Sequence, residues 1–285
     1  MGEAGDSFDD AAAAAGTPLS TIANAFEDLA GSIPPDDSDS TLNLSQFLSA
    51  CSLVSVLFGF LGFAFKFAEL EYVSKVQDLM EASKTYNTLN DILDHDVHQK
   101  TVRQPGSRTR NLRRVRQGLD LVRALFEEFL STKWPEMDKA YCGPGWALRQ
   151  SACSLKDAAS KAYEQVCAPY HSWAIRKAVG AGMYALPTRE QLLLRLNEND
   201  NTVEKAMRRY ITASSPVIAY IDKLYMSRDI TLDCELATSA AYFLLFGRRR
   251  AALVLSLWKS SNPNPWLLTL FTPFGFFIWM AISFL

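Results

Sequence analysis

A chain of 285 residues with a formal net charge of −2 and 48 % hydrophobic residues allows one large domain or two small ones, and can bury a substantial core. Its five cysteines (Cys51, Cys142, Cys153, Cys167, Cys234) are odd in number and form no close pair. That argues against a disulfide scaffold or a zinc site and for a reducing compartment. The charge is unevenly spread: no Lys or Arg precedes Lys66, and the first 65 residues hold nine Asp or Glu. Alternating β-branched runs are nearly absent, while Ala, Leu, Glu, Lys and Arg recur at helical periods, so the expected fold class is all-α. The N-terminus has neither a basic start nor an apolar core, so no secretory signal is expected. Met1-Gly2 fails as an acylation signal because Asp6 stands where Ser or Thr is needed.

Residues 1–17 are acidic and Ala-rich, and are expected to be disordered. A first helix is predicted over Ser20–Ile33, ended by Pro34, Pro35 and an Asp/Ser run. Leu42–Phe65 contains no charge. It is long enough to resemble a membrane span, but Asn43, Ser45, Gln46, Ser49, Ser52 and Ser55 favour a buried helix pair in a soluble core. The next helix, Phe65–Ser83, carries the stripe Ala68, Tyr72, Val76, Leu79, with Glu71 and Lys75 four apart on its flank. A short helix over Asn87–Asp96 follows, then the arginine-loaded segment Arg108–Leu130. Ser131–Ser154 has no period and contains Cys142-Gly143-Pro144-Gly145, so it reads as an insertion. Beyond it, helices are predicted over Leu155–Val166 and from Pro169 to Leu186, the latter with His171 and Trp173 in its first turn. Thr188 and Gln191 form a capping box for the helix that follows. Two more helices are predicted, Thr202–Ala213 and Ser215–Arg228.

The arginine helix holds the chemistry. Leu112, Val115, Leu119, Val122, Phe126 and Phe129 make one apolar stripe, and Arg113 points away from it. Arg110 and Arg114 sit one turn apart on a flank of the stripe. Two guanidinium groups so placed repel unless an anion bridges them, and their forked donors match phosphate or carboxylate oxygens.

Three ordered segments, CSLVSVLFGFLGFAFKFAELEYVSKV, SRTRNLRRVRQGLDLV and APYHSWAIRKAVGAGMYALPTR, resemble the glycolipid transfer protein family, and within it the plant accelerated-cell-death subgroup that carries ceramide-1-phosphate. The likeness runs from about Thr21 to Asp233. It implies a two-layer, all-helical sandwich over residues 18–234, holding one sphingolipid with its headgroup at the surface and its chains in an apolar sleeve. It also implies roles. Lys75, Arg110 and Arg114 fall where phosphate-selective members hold the lipid phosphate, and Arg114 replaces the tryptophan on which sugar-binding members stack the sugar. His171 matches the histidine that donates to the ceramide amide carbonyl. Glu71 stands where the family has an aspartate that accepts from the amide N–H and hydroxyl. The carboxylate is kept but is one methylene longer, which puts the headgroup register in doubt. By analogy and period, Val54, Phe58, Phe65, Phe126, Val179 and Tyr184 line the sleeve.

This scheme breaks and makes no bond, so it needs no nucleophile, no cofactor and no metal, and the chain is not expected to be an enzyme. Carrying a tail of about sixteen carbons through water would cost on the order of 13 kcal/mol, which an apolar sleeve offsets. The expected function is non-enzymatic movement of ceramide-1-phosphate, or its plant hydroxylated forms, between membranes, with restraint of programmed cell death implied by the family. The competing reading is a sensor or scaffold that binds the same lipid and acts through a protein partner. Nucleic-acid binding through Arg103–Arg116 is disfavoured, because the arginines spread around the helix and the N-terminal segment is acidic. The expected partners are therefore the sphingolipid and a membrane surface, in the cytoplasm and peripheral to membranes. Residues 235–285 lie beyond the resemblance. The last 26 residues carry no charge and Trp266–Leu285 is long enough to span a bilayer, so this extension is either a C-terminal anchor or an artefact of the gene model.

Overall fold

The computed structural model describes residues 16–35, 41–62, 65–131 and 146–231. Among these the chain is all-α: α1 (Pro18–Gly31), α2 (Leu44–Phe60), α3 (Lys66–Ala82), α4 (Leu89–His98), α5 (Arg108–Ser131), α6 (Trp146–Val166), α7 (Trp173–Gly182), α8 (Arg189–Leu196) and α9 (Asp200–Met226). Two single 3₁₀ turns, Ala168–Tyr170 and Met183–Ala185, flank α7. The helices pack as a two-layer sandwich in which α1 lies against α9 and α2, α2 against α3, and α5 against α3, α4, α6 and α9.

α5 is the central element. No residue of it before Ser131 is fully exposed, because it packs against α3, α4, α6 and α9. The stripe Leu112, Val115, Leu119, Val122, Phe126 and Phe129 is buried in full. The same enclosure leaves Arg113, expected to be solvated, only half-exposed. Two tyrosines fasten α9 across α5: the Tyr210 hydroxyl donates to the Leu119 carbonyl at 3.3 Å, and the Tyr225 hydroxyl to the Thr109 carbonyl at 2.6 Å. These ties bracket Pro216 and explain a departure from the sequence pattern. The pattern predicts separate helices on either side of residue 214, yet α9 runs through Pro216, because Ala213, Ser214, Val217 and Ile218 are buried before and after the proline.

The uncharged segment forms one helix, not a pair. Leu44, Phe47, Leu48, Cys51, Val54, Leu57 and Phe58 are buried. The serines gather on the outer side and satisfy themselves: the hydroxyls of Ser49, Ser52 and Ser55 donate to the carbonyls of Ser45, Ser49 and Ser52. Its start is pinned beside the start of α4, where Leu44 N–H donates to the Asn87 carbonyl at 2.8 Å. Asn43 caps α2, and a Thr88–Asp91 capping box opens α4.

Two further boundaries move. The helix expected to start at Leu155 begins at Trp146, inside the segment that reads as an insertion. Residues 132–145, which include Cys142-Gly143-Pro144-Gly145, lie outside the described residues, as do residues 1–15 and the extension beyond residue 231. The helix expected from Pro169 to Leu186 is split into a 3₁₀ turn, α7 and a second 3₁₀ turn. Pro169 and Ser172 interrupt it: the proline lacks an amide donor, and the serine sits at the N-cap of α7 in extended backbone. The Thr188–Gln191 capping box is present as the sequence indicates. Among the described residues no helix is long and apolar enough to cross a membrane.

Candidate functional site

Two helices and one chain break assemble the site. α3 and α5 run side by side in an antiparallel register that two contacts define. At one end the Tyr72 ring lies so close to Gly118 that a Cβ there would meet it at 2.7 Å, so only glycine allows the approach. At the other end the Asn111 amide donates to Asp78 at 3.3 Å. Between these ties Lys75 comes level with Arg114.

On α3, the longer Glu71 side chain reaches one turn on, and its carboxylate lies 3.2 Å from the Lys75 ammonium. Both side chains are about one-fifth exposed, which makes the pair partly shielded but open to exchange with a ligand anion. On α5, Arg110 donates to the Arg103 carbonyl at 3.4 Å and Arg114 to the Gln117 side-chain oxygen at 3.3 Å. Gln117 is itself held by the Val166 carbonyl at the end of α6. Arg108, Arg116 and Arg123 of this helix meet carboxylates. Arg108 lies 3.5 Å from Asp96, Arg116 clamps Asp222 at 2.6 Å and Asp120 at 2.8 Å, and Arg123 bonds Asp120 at 2.7 Å and Glu127 at 2.6 Å. Among the described residues no carboxylate lies within ion-pair distance of Arg110.

His171 occupies the break between the first 3₁₀ turn and α7, in extended backbone that folds its ring back onto α6. It is buried, and its Nδ1 lies 2.7 Å from the Tyr163 hydroxyl. Burial, and then the positive charge of Arg114, push its pKa down to about 4, so the ring is neutral at ordinary pH. That influence marks Arg114 as a near neighbour of the imidazole.

An apolar cavity opens beside this group. Its volume is about 820 Å³ with the mouth included, and Phe58, Phe65, Leu121, Tyr163, Val179 and Met183 are among its walls. A second cavity of about 470 Å³ lies against α1, α8 and α9, with Phe126, Leu155 and Met207 in its lining. Phe58, Leu61, Val122 and Leu125 belong to both. Of the expected lining residues, Phe58, Phe65, Phe126 and Val179 face one or both spaces. Val54 does not: it lies one turn from Phe58, wholly inside the closed core. Tyr184 does not either. It is 76 % exposed, with the Lys156 ammonium 3.5 Å above its ring. Val179 and Met183 share the inward face of α7, and the 3₁₀ turn that begins at Met183 carries Tyr184 outward. Tyr163, Gly118 and Met183 escape the sequence reading. Met183 is within its reach, four residues after Val179, whereas the other two depend on which helices meet.

The glycolipid transfer protein family model matches residues 42–198. The chain belongs to the glycolipid transfer protein family. It is similar to the ACD11 homolog protein of Arabidopsis thaliana, at 58 % identity over 236 residues covering 80 % of this chain and 95 % of that one. It is 45 % identical to Accelerated cell death 11 of the same plant, over 76 % of this chain and 96 % of the relative. Among solved structures, a crystal structure of a mutant Arabidopsis ACD11 complexed with C12 ceramide-1-phosphate aligns at a TM-score of 0.67 and 45 % identity, covering 76 % of this chain and all of that one. Human ceramide-1-phosphate transfer protein complexed with 12:0 ceramide-1-phosphate shares the fold at a TM-score of 0.60 and 19 % identity, over 76 % of this chain and 99 % of that one.

Proposed function

We propose that this chain is a non-enzymatic carrier that moves ceramide-1-phosphate, or its hydroxylated plant forms, between membranes. The observation that carries the reading is the α3–α5 register, which brings Lys75 level with Arg114, beside a buried, neutral histidine whose partner Tyr163 walls an apolar cavity. In this reading the three cations hold the phosphate through charge-assisted hydrogen bonds. His171 donates to the amide carbonyl and Glu71 accepts from the amide N–H, so neither side of the buried amide is left unpaired. The hydrocarbon chains enter the apolar space walled by Phe58, Phe65, Leu121 and Val179. The ceramide-1-phosphate complexes of the relatives support the same ligand class. The cellular setting proposed with it is peripheral association with membranes in the cytoplasm and restraint of cell death.

Glu71 adds an internal ion pair to the proposed site. Its ion pair with Lys75 has to loosen before the ammonium meets phosphate, so phosphate capture falls more heavily on the two arginines. The test is vesicle-to-vesicle transfer by the full-length protein, with fluorescent ceramide-1-phosphate set against a fluorescent galactosylceramide. Selective movement of the phosphate lipid is the expected result. Tight binding of ceramide-1-phosphate without movement would replace the carrier with a sensor that acts through a protein partner. Preference for the sugar lipid would overturn the phosphate site.

A further inference from the structure

His171 has two ring nitrogens, and only one is satisfied inside the protein. Nδ1 lies 2.7 Å from the Tyr163 hydroxyl. Nε2 is buried with no hydrogen-bond partner among the described residues. Both side chains are shut off from solvent, His171 at 6 % and Tyr163 at 8 % exposure. A neutral imidazole carries one proton, so the role taken by Nδ1 fixes the opposite role for Nε2.

The tyrosine settles which role that is. Among the described residues the Tyr163 hydroxyl has one hydrogen-bond partner, His171 Nδ1. Were the imidazole proton on Nδ1, the phenolic O–H would be a buried donor without an acceptor, an arrangement that costs about 1–3 kcal/mol. With the O–H donating to Nδ1, the hydroxyl and Nδ1 are both paired, the imidazole proton resides on Nε2, and that N–H is the one polar group of the pair left for a ligand to satisfy, against two unpaired groups in the other tautomer. We propose that Tyr163 is a positioning residue that locks His171 in the Nε2–H tautomer, so that the ring presents a buried donor which selects a carbonyl oxygen in the ligand. The inference rests on the assignment of His171 to the lipid amide and adds the group that gives the imidazole its polarity. Burial and the Arg114 charge keep the ring neutral, and burial pushes the Tyr163 phenol up, so the hydroxyl keeps the proton it donates. The consequence for specificity is chemical. A ligand with an acceptor opposite Nε2, such as an N-acyl carbonyl, is taken. A ligand with only a donor there, such as the free ammonium of a lysosphingolipid phosphate, leaves the buried N–H unpaired and is refused.

The experiment uses the full chain with ¹⁵N-labelled histidine. The sequence has three histidines, so loss of one ring in the spectrum of His171→Gln assigns the signal. At pH 7 the wild-type ring is expected to show the shift and coupling pattern of an Nε2-protonated imidazole. In Tyr163→Phe the pattern is expected to move towards a tautomer mixture, with ceramide-1-phosphate transfer falling about fivefold. An Nδ1-protonated wild-type ring would overturn the inference, and this spectrum decides the tautomer even if the variant loses its fold. An unchanged tautomer with unchanged transfer in a folded Tyr163→Phe protein would overturn the role of Tyr163 while leaving the amide assignment intact. Full transfer by His171→Gln would instead sink the amide assignment itself.

Discussion

Two sets of arginines share α5, and their surroundings differ more than their sequence does. Arg116 and Arg123 are paired with Asp120, Glu127 and Asp222, and Arg116, through Asp222, binds α9 to the centre of the molecule. Arg110 and Arg114, on the same helix, donate to a carbonyl and to a side-chain amide oxygen, beside α3 and His171. A guanidinium clamped between carboxylates already has its anion, and its work is structural. Arg110, bonded to the Arg103 carbonyl and with no carboxylate within ion-pair distance among the described residues, keeps more of its charge for a ligand. The density of arginines in a sequence does not distinguish the two; the position of the acids does.

The comparison can be broken most strongly at Arg114. Arg114→Leu removes a charge-assisted contact from the proposed phosphate site, and ceramide-1-phosphate transfer is expected to fall about a hundredfold while the melting temperature stays within a few degrees of wild type. Unchanged transfer would remove Arg114 from the site.

The next effect is on pH. The His171 pKa in the folded protein is lowered to about 4 from an ordinary 6.5, so between these values the unfolded chain binds a proton that the folded one does not. Stability is therefore full above about pH 6.5 and is lost as pH falls towards 4. Urea denaturation at pH 7 and pH 4.5 should show a loss of roughly 2 kcal/mol from this group. His171→Gln should be less affected by the same change, and an equal loss in both proteins would dismiss the histidine as its source.

Gly118→Ala comes third. Its methyl group would press on the Tyr72 ring and push α3 away from α5. A destabilisation of about 2 kcal/mol is expected, together with reduced transfer, since Lys75 and Arg114 are carried by the two helices that move apart. A stable variant with normal transfer would show that the ring swings aside freely. Arg116→Leu should have the smallest effect, about 1–2 kcal/mol of stability with lipid selectivity unchanged. A change in selectivity there would erase the distinction between the two arginine sets.

Much of the architecture is legible without coordinates, for local reasons. The α5 stripe and the Thr188–Gln191 cap follow from period and from short-range hydrogen bonding, whereas the uncharged segment, apolar on most sides, gives no period that tells one helix from two. The pattern fails where a distant packing decision overrides a local rule. Pro216 signals a break, but Tyr210 and Tyr225 tie down the helix on either side of it. The family likeness places Tyr184 in the sleeve, but Met183, four residues after Val179, takes the inward position and the 3₁₀ turn leaves Tyr184 on the surface. The site residues on α3 and α5 are suggested by the family likeness, and their mutual placement needs the Gly118 approach. Tyr163 is not legible, because its relation to His171, eight residues on, exists only once the chain breaks and turns back.

The enclosure of α5 has a bearing on how a lipid would be received. An element packed against four others has amides that exchange with solvent through the larger openings of the domain, whereas a ring held at a junction between a 3₁₀ turn and a ten-residue helix can shift through smaller ones. The arginine side of the site is then a fixed jaw and the histidine side a yielding one. Deuterium uptake should rise last in α5 and first around residues 168–186. A lipid's arrival should be recorded as slower exchange in that second stretch alone.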